Sequence, residues 1–130
     1  SSRPLTGNTR AFTRMVRSAM FRRVELLARD DIKRLEELDE NVNDRPDWDR
    51  EIDPYWDEYD QIGIGQDARG PHLFTVRTSR DDVDADTWHV RQVLDDPEGD
   101  HGWAIEGVVD LIDSDAEGEV RFASLRLVEG

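Results

Sequence analysis

Three aspartates, a glutamate and a histidine lie close together in the segment DDPEGDHGW, residues 95–103. Carboxylates and imidazole are the groups that bind divalent cations and transfer protons, so their spacing decides between a chemical site and a turn. A calcium loop of the EF-hand type needs oxygen ligands at alternating positions, but the third and fifth positions from Asp95 are Pro97 and Gly99. The spacing therefore predicts a turn between two strands, with no metal site and no catalytic residue.

The histidines also fail to indicate a metal site. His72, His89 and His101 are too far apart in the chain to form the closely spaced pair of a zinc site. A binding role for the acidic turn stays open, because its carboxylates could meet an arginine-rich partner. The candidate contacts for such a partner are Asp95, Asp96, Asp100 and His101.

The segment GIGQDARG, residues 63–70, has the glycine content of a phosphate-binding loop. A Walker loop also needs a lysine and a hydroxyl residue to meet the phosphates and magnesium, and Lys33, the only lysine, lies elsewhere. The acidic segment DEYD, residues 57–60, resembles the acidic box of ATPases, which functions only beside such a loop. We predict that the glycine-rich segment connects helices to a sheet and that the acidic segment is a solvated helix face.

Aromatic residues in both halves of the chain could line a pocket at the mouth of the fold. An aspartate and a histidine beside them could supply the acid–base pair of an enzyme. The candidate pocket residues are Tyr55, Trp88, His89, Trp103 and Asp110. The alternative is that the aromatic residues form the core, which is the commoner use of aromatic side chains at helical and strand spacing.

Positive charge is concentrated at the start of the chain. Residues 1–34 contain nine Lys and Arg against three Asp and Glu, whereas residues 35–130 contain eight against twenty-eight, which gives the net charge of −14. The acidic part repels phosphate, so only the first segment could attract nucleic acid. The candidate nucleic-acid or partner contacts are Arg10, Arg14, Arg17, Arg22 and Arg23. The alternative is that these arginines dock onto acidic surfaces of the same chain or of another domain.

Hydrophobic periodicity predicts the elements that hold these residues. The predicted helices cover residues 9–29, residues 30 or 31 to 39, and residues 47–61. The predicted strands cover residues 72–79, 87–94, 103–112 and 119–128. In the second helix Ile32, Leu35 and Leu38 should face inward, and in the third Pro54 should start or kink the last turns. Residues 113–118, DSDAEG, are predicted to be a turn.

The order of the elements, helices first and then a four-stranded antiparallel meander, is that of an α+β domain. We predict that the N-terminal helices pack on a curved sheet in a cone-like arrangement, similar to nuclear-transport-factor-like and cystatin-like domains. Alternation along the second strand should place Trp88 and Val90 on one face of the sheet and His89 and Arg91 on the other.

The length of 130 residues fits one domain, which we place at residues 9–130 after an irregular lead-in at residues 1–8. The chain has no cysteine, which excludes a disulfide framework, a thiol nucleophile and a zinc–thiolate site. No apolar run approaches the length that spans a bilayer, so we expect no membrane association and a cytoplasmic location. Because the chain begins at Ser1 rather than Met, we expect a fragment of a longer protein.

Three segments are distinctive as sequences: GNTRAFTRMVRSAMFRRVELLARDD (7–31), YDQIGIGQDARGP (59–71) and WHVRQVLDDPEGDHGWAIEGVVDL (88–111). Together they resemble a domain family of unknown function at the C-terminus of large actinobacterial DEAD/DEAH-box helicases of superfamily 2. The resemblance implies that ATP and magnesium bind in motor domains outside this fragment and that the parent protein binds nucleic acid. It assigns no catalytic residue and no cofactor to the fragment itself.

We therefore expect a non-catalytic accessory domain of a helicase, which docks onto the motor domains of the same chain, onto a partner protein or onto nucleic acid. Two alternatives stay open. One is a small-molecule-binding domain or enzyme that uses the cone pocket, which a polar pocket with shifted pKa values would favour. The other is a module that forms homodimers through the open sheet face, which a flat apolar face would favour.

Overall fold

The computed structural model of the chain describes residues 3–81 and 83–130. In this part of the chain, the α-helices are α1 (Thr9–Ala28), α2 (Ile32–Leu38), α3 (Trp48–Glu51), α4 (Asp53–Glu58) and α5 (Leu111–Glu117). The β-strands are β1 (Phe74–Arg77), β2 (Thr87–Val93), β3 (Trp103–Asp110) and β4 (Phe122–Glu129). Strand β1 is shorter than predicted, because Pro71–Leu73 forms a 3-10 turn before it.

The four strands form one antiparallel sheet in the order β1-β2-β3-β4, so each strand pairs with its neighbour in sequence. The sheet is not closed into a barrel. This arrangement confirms the predicted α+β class, in which N-terminal helices precede a four-stranded meander. The predicted alternation in β2 is also confirmed, since Trp88 and Val90 are buried whereas His89 is exposed on the opposite face.

Helix α1 packs on the buried face of the sheet. Asn8 caps its start by accepting a hydrogen bond from the backbone N–H of Ala11 at 3.0 Å. The residues that recur at helical spacing on its inner side are buried, and they are Phe12, Val16, Met20, Val24 and Leu27. The ring of Phe12 meets that of Trp88 in β2 edge to face, with centroids 5.1 Å apart. Helix and sheet therefore share one hydrophobic core.

The segment before α1 is attached to α5. Asp115 accepts hydrogen bonds from the backbone N–H groups of Leu5 and Thr6, at 3.0 and 2.8 Å, and from the Thr6 hydroxyl at 2.6 Å. Desolvation raises the pKa of the Asp115 carboxyl, but these hydrogen bonds and the nearby Arg3 charge outweigh it and hold the pKa below its usual value. The lead-in predicted as irregular is thus a turn fixed by one carboxylate.

The third predicted helix is divided into two. The chain leaves α3 at Ile52 and re-enters helical geometry in α4, with Pro54 in the first turn. Proline has no N–H to continue the hydrogen-bond ladder of a preceding helix, whereas it is well accommodated at a helix start. The prediction of a single helix over residues 47–61 was therefore wrong, although its proline was correctly identified as the break.

A short helix, α5, occupies the connection between β3 and β4. Asp110 caps it by accepting a hydrogen bond from the backbone N–H of Asp113 at 2.9 Å, and Gly118 ends it with a left-handed φ of 71°. The prediction of a plain turn over residues 113–118 was wrong. One reason is that acidic residues and a glycine are typical of a capped helix as well as of a turn. The other is that the helix begins within the apolar end of the predicted strand.

A buried ion pair connects the helices to the sheet. The Arg23 guanidinium of α1 donates from Nε and Nη2 to Oδ1 of Asp39, at 3.0 and 2.6 Å, and both side chains are buried. Trp48 of α3 donates its indole N–H to the other Asp39 oxygen at 2.9 Å. The guanidinium also donates to the backbone carbonyl of Ala19 and lies 4.7 Å from the centroid of the Phe122 ring in β4. One pair of charges thereby joins α1, the end of α2, α3 and the sheet.

Asp39→Ala should strongly destabilise the domain. Burial already lowers the pKa of the Arg23 guanidinium, and the Asp39 carboxylate is what opposes this desolvation. Without the carboxylate, a buried charge and the Trp48 N–H lose their acceptor, so we expect the free energy of unfolding to fall by about 3–5 kcal/mol. Urea denaturation followed by tryptophan fluorescence measures this loss.

The matched control is Asp86→Ala. The Asp86 side chain pairs with Arg3 at 2.6 Å, but both side chains are more than two-fifths exposed. An exposed pair contributes at most about 1 kcal/mol. Equal losses in the two variants would contradict a special role for the buried pair.

Candidate functional site

The aromatic residues of the predicted pocket fill the interior themselves. Tyr55, Trp88 and Trp103 are at most 6 % exposed and belong to the hydrophobic core. Tyr55 meets Trp103 edge to face at 5.9 Å, whereas Trp88 packs on Phe12. Burial raises the pKa of the Tyr55 hydroxyl, which donates a hydrogen bond to the backbone carbonyl of Gln61 at 2.7 Å. These side chains therefore have the core role that was the alternative to a pocket.

His89 and Asp110 lie outside that interior. His89 pairs with Val108 in the sheet and is exposed on the outer face. Asp110 pairs with Thr87 at the end of β3, and its carboxylate is engaged as the cap of α5. Among the described residues no hydrogen bond joins Asp110 to His89. The structure thus does not assemble the five predicted pocket residues into one site.

The outer face of the sheet is polar. Arg91 and Arg126 both contact Glu106, which lies between them on β3, at 2.6 and 3.3 Å. Arg77 and His89 lie beside this cluster in a shallow cavity of about 480 Å³. The face is therefore not the flat apolar surface that would favour a homodimer.

The acidic turn is held together by its own carboxylates. Asp96 is 4 % exposed, and its oxygens accept hydrogen bonds from the backbone N–H groups of Glu98, Asp100 and His101, at 3.0, 3.0 and 2.7 Å. Desolvation raises the pKa of the Asp96 carboxyl, but the hydrogen bonds favour the ionised form more strongly, so the pKa lies below its usual value. A buried carboxylate thus organises the turn.

The other acids of the turn link it to the chain around α4. Oδ1 of Asp95 lies 3.1 Å from Nε2 of His101, and the backbone carbonyl of Asp95 accepts the N–H of Gly63 at 2.8 Å. Asp100 accepts the Tyr59 hydroxyl at 2.5 Å, and this hydrogen bond is the main cause of the raised pKa of Tyr59. A Cβ atom on residue 63 would lie 2.9 Å from Oδ2 and 3.1 Å from the backbone oxygen of Asp95, so a larger residue there would displace Asp95. The glycine-rich and acidic segments form one structural junction, and its carboxylates are largely engaged inside the domain.

Four of the five predicted arginines of α1 remain accessible to a ligand. Arg23 is buried in its pair with Asp39, which excludes it as a nucleic-acid contact. Arg10 and Arg14 are exposed, and Arg17 and Arg22 are partly buried. Within residues 3–81 and 83–130, none of these four guanidinium groups forms an ion pair, whereas Arg3, Arg91, Arg121 and Arg126 all do.

A groove of about 640 Å³ lies beside α1, bounded by the segment after α2 and by the start of β4. Arg14 and Arg22 line it together with apolar side chains. Those apolar side chains are Ala11, Met15, Ala19, Leu38, Val42, Val120 and Phe122. The prediction that Leu38 faces inward was wrong: it is the last residue of α2 and is 43 % exposed at the groove.

Sequence reasoning also missed Arg69, which lies near the end of the glycine-rich segment, residues 63–70. Its guanidinium lies 4.3 Å from the centroid of the Phe21 ring on α1. A signal for it was present in the sequence, because Phe21 falls on the arginine side of α1 rather than on the side of Met20 and Val24. A large apolar residue in that position must be covered by a side chain from elsewhere in the chain.

The sequence matches one family model, described as a domain of unknown function (DUF3516), over residues 1–127. The chain belongs to the DUF3516 family. The match includes the groove, the acidic turn and all the arginines of α1. No curated protein and no solved structure matches the chain significantly.

Two further observations concern membrane spanning and metal binding by the DUF3516 domain. In the part of the chain that the structure describes, no helix combines the length and the apolar character needed to cross a membrane. In the same residues, no group of three or more His, Asp or Glu side chains is placed to hold a metal ion.

Asp96→Asn should destabilise the domain in a pH-dependent way. Loss of the charge weakens three hydrogen bonds, so we expect the free energy of unfolding at pH 7 to fall by about 1–3 kcal/mol. The pKa of Asp96 is lower in the folded state than in the unfolded state. Its stabilising contribution is therefore present above the unfolded pKa of about 3.9 and is lost as the pH falls through the folded pKa.

The difference between wild type and Asp96→Asn should accordingly shrink below about pH 4, as urea denaturation at a series of pH values would show. Asp57→Asn is the control, because this side chain is exposed on α4. A difference that stays constant down to acidic pH would argue against the charged cap.

Proposed function

We propose that the DUF3516 domain is a non-catalytic accessory domain at the C-terminus of an actinobacterial, ATP-dependent DEAD/DEAH-box helicase, and that it docks onto the motor domains of the same chain. The resemblance of residues 7–31, 59–71 and 88–111 to helicase C-terminal domains supports this parentage. In this proposal ATP and magnesium bind in the motor domains, and the parent protein acts on nucleic acid in the cytoplasm.

The groove beside α1 is the observation that carries the docking proposal. Its apolar lining includes Met15 and the exposed Leu38, and Arg14 and Arg22 line it without an acidic partner among the described residues. Apolar surface bordered by charge is typical of protein–protein contacts. The complementary occupant is a segment of the motor region with apolar residues on one side and carboxylates beside them.

The geometry favours docking over the small-molecule alternative. The interior positions that a ligand would occupy in a cone-like pocket are taken by Tyr55, Trp88 and Trp103. The titratable groups with clearly shifted pKa values, such as Asp96 and Tyr59, are engaged in hydrogen bonds that fix a turn. A site that binds substrate would instead direct such groups into a cavity.

The test is a double variant, Met15→Asp with Leu38→Asp, measured for binding to the separately expressed motor domains. Two carboxylates on the groove should exclude an apolar segment and repel an acidic one. Because burial of one large apolar side chain contributes about 1.5–3 kcal/mol, we expect Kd to rise at least about tenfold in calorimetry. In the full-length helicase, the same variant should reduce unwinding per ATP hydrolysed.

Ile112→Asp is the matched control, because Ile112 is 60 % exposed on α5 and does not line the groove. It should leave Kd unchanged. Failure of the wild-type domain to bind the motor domains, or equal effects of groove and control variants, would overturn the docking proposal.

A further inference from the structure

A second surface lies on the other flank of α1. Arg10, Arg14 and Arg17 fall within an arc of about 60° on the helix, since each residue turns the helix by about 100°. Phe21 lies in the same arc one turn further, and Arg69 covers its ring. We call the four arginines at positions 10, 14, 17 and 69 the arginine ridge. At about 1.5 Å of rise per residue, the ridge extends for about 16 Å along α1.

Two members of the ridge are held in place by aromatic rings. The Arg17 guanidinium lies 4.5 Å from the centroid of the Phe74 ring in β1, and the Arg69 guanidinium lies 4.3 Å from that of Phe21. Stacking on a ring restrains a guanidinium without using its N–H donors. The positions of these two charges are thus largely fixed before any ligand binds, which reduces the entropy cost of binding.

Within residues 3–81 and 83–130, the side-chain donors of the ridge are unused. Among the described residues, no side-chain hydrogen bond and no ion pair involves Arg10, Arg14, Arg17 or Arg69. The chain has 31 acidic residues against 17 Lys and Arg, so acidic partners are abundant. Among the described residues, this row of four arginines therefore keeps its side-chain donors available for an anion.

We propose that the arginine ridge binds the phosphate backbone of nucleic acid without reading its sequence. Arginine presents several donors in a planar fork that matches phosphate oxygens. A row of separate charges along one helix fits a ligand whose charges are also in a row, as they are in a phosphate backbone. No exposed aromatic ring among the described residues belongs to the ridge, so the ridge has no side chain that would stack on bases. The acidic remainder of the domain opposes binding, but salt screens it beyond roughly 8–10 Å, whereas direct contacts persist.

The ridge and the groove share Arg14 at their border, but their other arginines lie on different sides of α1. Arg22 lies about 120° around the helix from Arg10 and lines the groove, whereas Arg17 and Arg69 stack on Phe74 and Phe21 on the other flank. The inference therefore does not depend on the docking proposal. It is tested with the 130-residue chain alone, whereas docking is tested against the motor domains, so either can fail without the other.

The experiment is fluorescence anisotropy of a labelled single-stranded oligonucleotide of one base type, titrated with the domain from low to physiological salt. Four phosphate contacts predict a slope of log K against log salt of about −2.8. Arg17→Ala with Arg69→Ala should weaken binding about tenfold at low salt and reduce the slope by about 1.4. Replacing the same two residues with lysine should retain most of the slope, because lysine also neutralises phosphate.

Arg50→Ala with Arg80→Ala is the charge-matched control, since both arginines are exposed and lie outside the ridge. Thermal denaturation checks folding, and Arg10→Ala with Arg14→Ala provides a second test on exposed positions if loss of the stacked arginines destabilises the domain. A duplex of the same length determines whether the ridge prefers single strands. Absence of binding by the wild type at low salt, or equal loss of slope in ridge and control variants, would overturn the inference.

Discussion

The buried pair of Arg23 and Asp39 is the interaction on which the arrangement of the elements depends. A charged pair tolerates burial only when its geometry is well defined and its remaining donors and acceptors are satisfied. Here Trp48 and the carbonyl of Ala19 complete that set, and the ring of Phe122 covers the guanidinium. Because these partners come from α1, α3 and β4, the pair has all of its partners only when the helices are packed on the sheet in their native positions. Because burial of the pair is costly without these partners, one ion pair favours a single arrangement of the elements. Arg23 and Phe122 also line the groove beside α1.

Many of the aspartates in this chain, which outnumber its glutamates, have a structural role. Carboxylates in turns and at helix starts accept backbone N–H groups that the secondary structure leaves without partners. The aspartates in this role are Asp31, Asp47, Asp81, Asp84, Asp96, Asp110 and Asp115. A composition that suggests a strongly anionic, repulsive surface therefore contains many charges that are committed to the backbone. This leaves the arginines of α1 that lack an ion pair among the described residues more prominent than a net charge of −14 suggests.

Sequence reasoning recovered the elements whose signals are local. The twenty residues of α1 and the alternation of β2 were predictable, because an element that buries one side has apolar residues at regular spacing along its sequence. Helix α5 was missed because its caps use the same residue types as a turn. The core position of the candidate pocket residues was not predictable for a different reason: which aromatic residues meet, and whether they enclose a space, depends on packing between distant segments. The position of Phe21 on α1 indicates that some side chain must cover it, but Arg69 lies more than forty residues away in the chain, so no local pattern identifies it as that side chain.

The attachment of residues 5 and 6 to Asp115 has a mechanical consequence. A force that pulls on the chain before α1 would act on the hydrogen bonds to Asp115 before it acted on the first turn of the helix. Helix α5 leads directly through Gly118 to Val120 and Arg121, which form one wall of the groove. The segment before α1 and that wall are therefore linked through the Asp115 side chain and the rest of α5. A force on the chain before α1 would therefore reach the groove wall through this carboxylate before it reached the hydrophobic core.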